Sequence, residues 1–383
     1  MNQKQTNTKS LSPWIVYLIC LGFSTVFFLC FGFNSPIHTF NTDHDYQWFM
    51  TMGNGLVHGK IPYRDLFEQK GPIVYFVTAF CCLFPKPGIA MLFIEIISMS
   101  LFFFFAYRIC RKTLNSYFSL ILIPILAFTI FTSWCRIFSA ATIEEFALPI
   151  YTYFLLCWLE FLQEKRHWNW IRALCLGLCF GIIFWTKYTL LYFMIVPMII
   201  WLIISLRRRQ YKILLMNTFI TLAGVLIIST PIIIFYTLNH ALDDLFHVYF
   251  FLNLTAYSST TFVKLCTSFG LFFTIGPLLL IFMLWGVIAF TIKHWRERSG
   301  KLLLIAFLIN FALLVYSCKN IMYYYAGLIP YAIFGIIDLL ELISKKTKLN
   351  KTQSKDFYSL QPWLICTLHT LFSINNRMGT RQR

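Results

Sequence analysis

The sequence predicts an all-α polytopic membrane protein with about 10 transmembrane helices, or 11 if the C-terminal tail adds a short span. Of its 383 residues, 58% are hydrophobic and only 12% are charged, whereas soluble domains carry about 25% charged residues. Apolar runs of about 20 residues recur along the chain, and each can cross a hydrocarbon core of roughly 30 Å. The net charge of +17 comes largely from basic residues at the ends of these runs, as in cytoplasmic loops, so no nucleic-acid partner is expected.

The apolar runs divide the chain into three parts. Residues 1–12 form a cytoplasmic N-terminus, residues 13–343 form the transmembrane domain, and residues 344–383 form a basic tail with an ambiguous apolar stretch. The first run is too long for the core of a signal peptide, so it is interpreted as an uncleaved span. The predicted spans are about 13–33, 88–107, 116–134, 146–162, 172–186, 189–206, 213–237, 264–292, 301–317 and 321–343.

The distribution of Lys and Arg sets the predicted orientation. Most of them fall on one side of the membrane if the N-terminus is cytoplasmic. Residues 72–84 are apolar but reach only roughly 20 Å as a helix, so they are expected to lie along the outer interface. Residues 172–206 carry basic clusters at both ends. They are therefore expected to cross twice, with the turn near Lys187 at the outer face.

Ionisable residues collect in the first predicted outer loop, residues 34–87, which is expected to contain short interfacial helices. The stretch "DYQWFMTMGNGLVHGKIPYRDLFEQKGP", residues 45–72, alternates acids with Lys and Arg in a chain that is otherwise poor in charge. Charges at membrane depth are costly unless they are paired or face a cavity. The outer acids therefore favour an outward-facing polar cavity, and solvated loop charges are the alternative. These acids are Asp43, Asp45, Asp65, Glu68, Glu144, Glu145, Asp243 and Asp244.

The same loop carries a resemblance to a known family. An Asp shortly after the first span, followed by "FEQKGP", resembles the first outer loop of GT-C glycosyltransferases of the protein mannosyltransferase and aminoarabinose transferase type. The matching positions are Asp45, Glu68, Lys70 and Pro72. "TIEEFALPIY", residues 142–151, is similar to a second family feature, whereas "TKYT" and "YYYAGLIPY" are similar more loosely. The resemblance extends over about residues 12–340.

The resemblance implies an enzyme, a membrane glycosyltransferase whose donor is a sugar joined to a polyprenyl phosphate. The expected acceptor is a hydroxyl of a cell-envelope polysaccharide, teichoic acid, lipid or protein, on the extracytoplasmic face of a bacterial plasma membrane. Family members usually continue with further spans or an outer soluble domain. This chain is therefore expected to be either a compact member or a truncated, non-catalytic partner subunit.

Sugar transfer from a polyprenyl-phosphate donor needs few protein side chains. A lipid phosphate is a good leaving group, so direct displacement with inversion requires only one carboxylate as general base for the acceptor hydroxyl. Asp45 is the predicted base, with Asp43 as the alternative catalytic residue. Asp43 could instead cap the short helix that follows. No cofactor is expected, and no metal, because the His residues of the outer loops show no metal-ligand spacing.

The departing phosphate needs cations, which Lys and Arg supply in different geometries. Arg64 could instead pair with Asp65 or Glu68, and Lys187 could instead snorkel to the interface. Glu68 is expected to position a substrate hydroxyl or to hold Lys70. Glu144 and Glu145 either line the cavity or only charge a helix start. The predicted substrate-binding residues are thus Arg64, Asp65, Glu68, Lys70, Glu144, Glu145 and Lys187.

A transporter or flippase of lipid-linked sugars is the second class of function. Such a protein would carry acids within its helices and would have repeated, broken spans. Glu95 is the clear acid in the middle of a predicted span, and no inverted repeat is visible.

Overall fold

The computed structural model describes residues 11–38, 41, 43–133, 141–163, 169–255, 261–317 and 321–347. Within these ranges every regular element is a helix, which confirms the predicted all-α membrane fold. The ambiguous apolar stretch of the tail lies outside the described residues.

The helices follow one another with short connections. The first nine α-helices are α1 (Pro13–Phe31), α2 (His44–Val57), α3 (Pro72–Cys82), α4 (Pro87–Cys110), α5 (Ser116–Phe131), α6 (Ile143–Gln163), α7 (Trp170–Lys187), α8 (Tyr192–Arg207) and α9 (Tyr211–Leu238), and a short 3-10 helix (Tyr188–Leu191) lies between α7 and α8. They are followed by α10 (Leu242–Phe246), a π-helix (His247–Leu252), α11 (Asn253–Thr255), α12 (Phe262–Phe272), α13 (Pro277–Lys293), α14 (Ser299–Ser317), a 3-10 helix (Met322–Leu328) and α15 (Ile329–Thr347).

The predicted number of ten spans is not confirmed. Within the described ranges, seven helical segments are long and apolar enough to cross a membrane, or up to eight if a bent pair counts as one. The predicted span 116–134 is the shorter helix α5, and the predicted span 264–292 is the bent pair α12 and α13. The bend is 93°. It falls at Gly276, whose φ of 122° is unfavourable for other residues, and Pro277 then begins the next helix.

The run from α7 to α8 is one of the seven segments, yet it turns back on itself. A Cβ atom at Gly177 would lie only 2.1 Å from the Thr221 carbonyl oxygen, so α7 and α9 pack closely there. Further along both helices, Trp185 Nε1 donates to Ser229 Oγ over 2.7 Å. Residue numbers rise along both helices from the first contact to the second, so α7 and α9 run parallel. Because only three residues join α8 to α9, α8 must run back antiparallel to α7, as the charge pattern predicts.

Helix α3 is too short to span, in agreement with the expectation for residues 72–84. Its 11 residues reach roughly 17 Å. It packs against α2, where Thr78 Oγ1 donates to the Phe49 carbonyl over 2.8 Å. Its location in the membrane interface stays a prediction.

Basic residues from several loops meet at one end of the bundle, which we call the basic end. Glu160, near the end of α6, forms ion pairs with Lys112 at 3.4 Å and with Arg172 at 2.5 Å. At the same end, Lys112 and Lys293 line one small pocket, and Lys293 pairs with Glu341 at 2.8 Å. The loops predicted to be cytoplasmic are thus gathered together, away from the first loop.

Candidate active site

A polar cavity of about 290 Å³ lies at the opposite end of the bundle. The first loop, the turn between α7 and α8, the π-helix region and the segment before α15 form its walls. Three of the predicted site residues reach it, namely Asp45, Lys70 and Lys187. The full lining is Asp45, Gln69, Lys70, Lys187, Tyr188, Thr189, Tyr249, Asn253, Ser317, Ile321, Tyr323 and Tyr324.

Asp43 and Asp45 have different surroundings at the start of α2. Asp43 is the N-cap, and its side chain accepts from the amide nitrogens of Asp45 at 3.0 Å and Tyr46 at 3.3 Å. The half-buried Asp45 carboxylate instead lines the cavity and accepts from the Tyr323 hydroxyl at 3.0 Å. This geometry favours Asp45 over Asp43 as the general base and matches the capping alternative for Asp43.

Arg64 and Asp65, which were predicted to bind substrate, do not line the cavity, and that role stays a prediction. They pair with each other, with Arg64 Nε 3.0 Å from Asp65 Oδ1. Asp65 also accepts from the Ile61 amide at 2.7 Å, and Arg64 donates to the Asn239 carbonyl at 2.7 Å. The Arg64 and Ile61 hydrogen bonds lower the pKa of Asp65 to about 2. Both side chains therefore fold the loop and fasten it to the end of α9.

The loop turns at Tyr63, which has a φ of 72°, rare for a bulky residue. Its ring is buried against Tyr75. The hydroxyls of Tyr63 and Tyr75 both donate to the Lys70 carbonyl, over 2.5 and 2.9 Å. Two buried tyrosines thus fix the backbone from which the Lys70 side chain enters the cavity.

Glu68 and Lys70 form a loose ion pair of 3.7 Å, and both side chains are largely buried. Glu68 also accepts from the Gln69 amide at 2.8 Å. Glu68 is outside the cavity lining, so its position favours the alternative in which it holds Lys70 over direct contact with a sugar.

The turn between α7 and α8 depends on Tyr249 from the π-helix. Lys187 at the turn has an extended backbone, with a φ of −164°, which interrupts the helical hydrogen bonds. The Tyr249 hydroxyl donates to the Phe184 carbonyl over 2.5 Å and accepts from the Tyr188 amide over 3.1 Å. A side chain from another element therefore satisfies the backbone groups released by the break, as membrane helices require.

The first loop contacts the same turn through Gly71. Its amide donates to the Thr186 carbonyl at 2.9 Å. A Cβ atom at this position would lie 2.0 Å from the Trp185 carbonyl oxygen, so no larger residue fits without a backbone shift. Lys70 and Lys187 are consequently held on neighbouring walls of the cavity.

Lys187 is an internal cation and does not snorkel. Its ammonium lies 2.6 Å from Glu144 Oε1 and 3.6 Å from the centroid of the Tyr324 ring. Lys187 is 8% exposed and Glu144 is 3% exposed. Glu144 therefore lies behind Lys187, outside the cavity lining, and Glu145 is likewise buried outside it.

Several lining residues were not predicted as site residues. Tyr323 and Tyr324 lie in the "YYY" run whose resemblance to the family is loose, and Asn253 begins an Asn-Leu-Thr sequence, a glycosylation pattern that does not predict a substrate-binding role. The Asn253 amide donates to the Gln69 carbonyl at 2.9 Å and so connects the π-helix region to the first loop.

The cavity combines a carboxylate on one wall with ammonium groups on others. This arrangement can hold an anionic group near the lysines while Asp45 accepts a proton from a hydroxyl. Among the described side chains, no group of three or more His, Cys, Asp and Glu residues is arranged to hold a metal ion.

A comparison with known families agrees with these features. Residues 70–235 match the family model described as dolichyl-phosphate-mannose-protein mannosyltransferase. The matched range includes Lys70, Glu144 and Lys187, whereas Asp45 precedes it. The match confirms the predicted resemblance to GT-C glycosyltransferases and supports a membrane glycosyltransferase with a lipid-linked sugar donor. No curated protein matches the chain significantly.

Proposed function

We propose that this protein transfers a sugar from a polyprenyl-phosphate donor to a hydroxyl of a cell-envelope acceptor, with inversion, on the extracytoplasmic face of a bacterial plasma membrane. The observation that carries the proposal is the convergence of Asp45, Lys70 and Lys187 on one cavity. The family match over residues 70–235 supports the donor class.

Asp45 acts as the general base in the proposed reaction. It removes the proton of the acceptor hydroxyl as the oxygen attacks the anomeric carbon and the bond to the phosphate oxygen breaks. The Tyr323 hydroxyl, 3.0 Å from Oδ2, orients the carboxylate. The polyprenyl phosphate leaves with the electron pair of the broken bond, and the lysines stabilise its increased negative charge.

Lys70 is the principal phosphate ligand in this proposal. Its ion pair with Glu68 is long at 3.7 Å, whereas the ion pair of Lys187 with Glu144 is short at 2.6 Å. The Lys70 ammonium can therefore turn towards a phosphate at a lower cost than the Lys187 ammonium.

The isoprenoid chain has an apolar surface next to the cavity. An open groove of about 410 Å³ lies between α3 and α9 and is lined by apolar side chains alone. Helix α3 begins two residues after Lys70, so a lipid whose phosphate contacts Lys70 can extend along Ile73 and Phe76. The proposal thus assigns the phosphate to the cavity and the tail to the groove.

The proposed function is tested with purified protein in liposomes that contain polyprenyl phosphates carrying labelled sugars. Transfer of the label to an added hydroxyl acceptor is the expected result. Movement of the labelled lipid between leaflets without transfer would favour the transporter class. Neither event, over a panel of sugars and acceptors, would favour a non-catalytic subunit.

Lys70→Gln is expected to weaken donor binding by about 10- to 100-fold, since a hydrogen bond to a charged group is worth roughly 1.5–3 kcal/mol. The measurement is KM for the lipid donor, at matched protein levels. Lys60→Gln is the matched control, because Lys60 is exposed in the same loop and does not line the cavity. Equal KM values for both variants would remove Lys70 from phosphate binding.

The proposed orientation is tested by labelling single cysteines in intact cells with a thiol reagent that does not cross membranes. His58→Cys in the first loop should react, and Arg209→Cys in the α8–α9 loop should react only after permeabilisation. Both positions are exposed, so accessibility of the side chain itself does not bias the comparison. The unsubstituted protein gives the background from its own cysteines. Labelling of Arg209→Cys alone in intact cells would reverse the orientation.

A further inference from the structure

A buried acidic side chain lies outside the cavity, in the spanning-length helix α4. Glu95 is 0% exposed. A buried polar side chain in a membrane helix is costly, and it requires a hydrogen-bond partner. The Asn34 amide supplies one, because its Nδ2 donates to Glu95 Oε2 over 3.0 Å.

The contact between Glu95 and Asn34 begins a chain of hydrogen bonds that leads to α2. Asn41 Nδ2 donates to Asn34 Oδ1 over 3.3 Å. The Asp43 amide then donates to Asn41 Oδ1 over 3.0 Å, and Gln47 Nε2 donates to the Asn41 carbonyl over 2.5 Å. Glu95 is therefore connected to the N-terminus of α2 through two buried asparagines.

The first turn of α2 is the segment that carries Asp45. Asp43 caps this turn by accepting from the Asp45 amide, and the Asp45 carboxylate meets Tyr323 across the cavity. Tyr46 of the same turn is buried in a small apolar cluster with Met91 of α4. The turn is thus attached to α4 by a polar chain and by an apolar contact.

We propose that Glu95 is a positioning residue, which anchors Asn34 and Asn41 and thereby fixes the turn of α2 that presents Asp45 to the cavity. The catalytic consequence rests on the proposed function, whereas the anchoring itself does not. The hydrogen bond that Glu95 Oε2 accepts offsets part of the cost of burying this polar side chain, which explains a polar residue at a position where an apolar one would be less costly to bury.

Hydrogen exchange of the full-length protein in lipid nanodiscs tests the anchor without any substrate. Glu95→Leu removes the acceptor and should speed amide exchange in residues 43–52 on the order of tenfold, because one buried hydrogen bond is lost. Glu95→Gln keeps an acceptor oxygen and should remain close to the original protein. Peptides from α13 serve as an internal control for global loosening.

Asn34→Ala breaks the same chain from the loop side and keeps the test valid if Glu95→Leu fails to fold. It should speed exchange in residues 43–52 to a similar extent. The double variant should exchange no faster than Asn34→Ala alone, because Glu95 acts on the turn only through Asn34 in this proposal. Unchanged exchange in folded Asn34→Ala, or in folded Glu95→Leu, would overturn the anchor.

Kinetics separate positioning from a merely structural effect. Glu95→Leu should lower kcat by about 10- to 100-fold with KM for the donor unchanged, since a displacement of about 1 Å can cost 10²-fold. Glu95→Gln should restore most of the rate. An equal loss in both variants, or a change confined to KM, would overturn the positioning role. Absence of transfer by the unsubstituted protein would instead overturn the proposed function, and the exchange experiment would still decide the anchor.

Discussion

Asp45→Asn is expected to lower the rate of sugar transfer by about 10²–10⁴-fold, the usual loss when a general base is removed. The amide keeps the size of the carboxylate and can still accept from the Tyr323 hydroxyl, which lies 3.0 Å from Oδ2. It cannot take the proton of the acceptor. The loss should therefore appear in kcat, with KM for the donor largely unchanged.

Asp43→Asn is the matched control, two residues away on the same turn. Asn is also a good N-cap, so the bonds that Asp43 accepts from the Asp45 and Tyr46 amides can persist. Asp43→Ala should cost about 1 kcal/mol of stability through loss of the cap. Full transfer by Asp45→Asn together with loss in Asp43→Asn would exchange the two assignments, and full transfer by both would exclude both aspartates as the general base.

The sequence identifies which charged residues belong to the first-loop motif, but it does not predict which of their side chains point into the cavity. Lys70 and Asp45 were predicted from the resemblance, and both line the cavity. Arg64 and Asp65 are charged residues of the same loop, yet their side chains pair with each other and do not line the cavity. Adjacent opposite charges can satisfy one another locally, and spacing alone does not tell which way such side chains point.

Contacts between distant parts of the chain account for the residues that were missed. Tyr323 is 278 positions from Asp45, with which it forms a hydrogen bond. Tyr249 satisfies the backbone at a helix break 65 positions earlier, at Phe184. Neither role follows from local pattern, because each depends on how the helices pack.

The membrane spans also show that some features follow from a local sequence signal and others do not. Charge at both ends of residues 172–206 predicted a double pass, and the parallel packing of α7 and α9 agrees with it. The span 264–292 was predicted as one helix from hydropathy alone, whereas the structure has α12 and α13 with a bend between them. The bend falls at a Gly-Pro pair, which is a recognisable turn signal in the sequence.

Lys187→Met is expected to destabilise the protein by about 3–5 kcal/mol, the usual cost of breaking a buried ion pair. The substitution leaves the Glu144 carboxylate 3% exposed with its short 2.6 Å contact removed. Glu144→Gln should be destabilising for the same reason, because it leaves the ammonium in a buried site. The measurement is the thermal midpoint of monodisperse protein in one detergent.

The double variant Glu144→Gln/Lys187→Met removes both charges, and its stability should lie close to that of the original protein, since neutral replacement of a buried pair is often tolerated. It therefore permits a question that neither single variant can answer, which is whether Lys187 also contacts the donor phosphate. If it does, the stable double variant should show a higher KM for the lipid donor, and its combination with Lys70→Gln should lose more binding than either alone. A stable double variant with an unchanged KM would assign Lys187 and Glu144 to the support of the turn between α7 and α8, with Lys70 as the phosphate ligand.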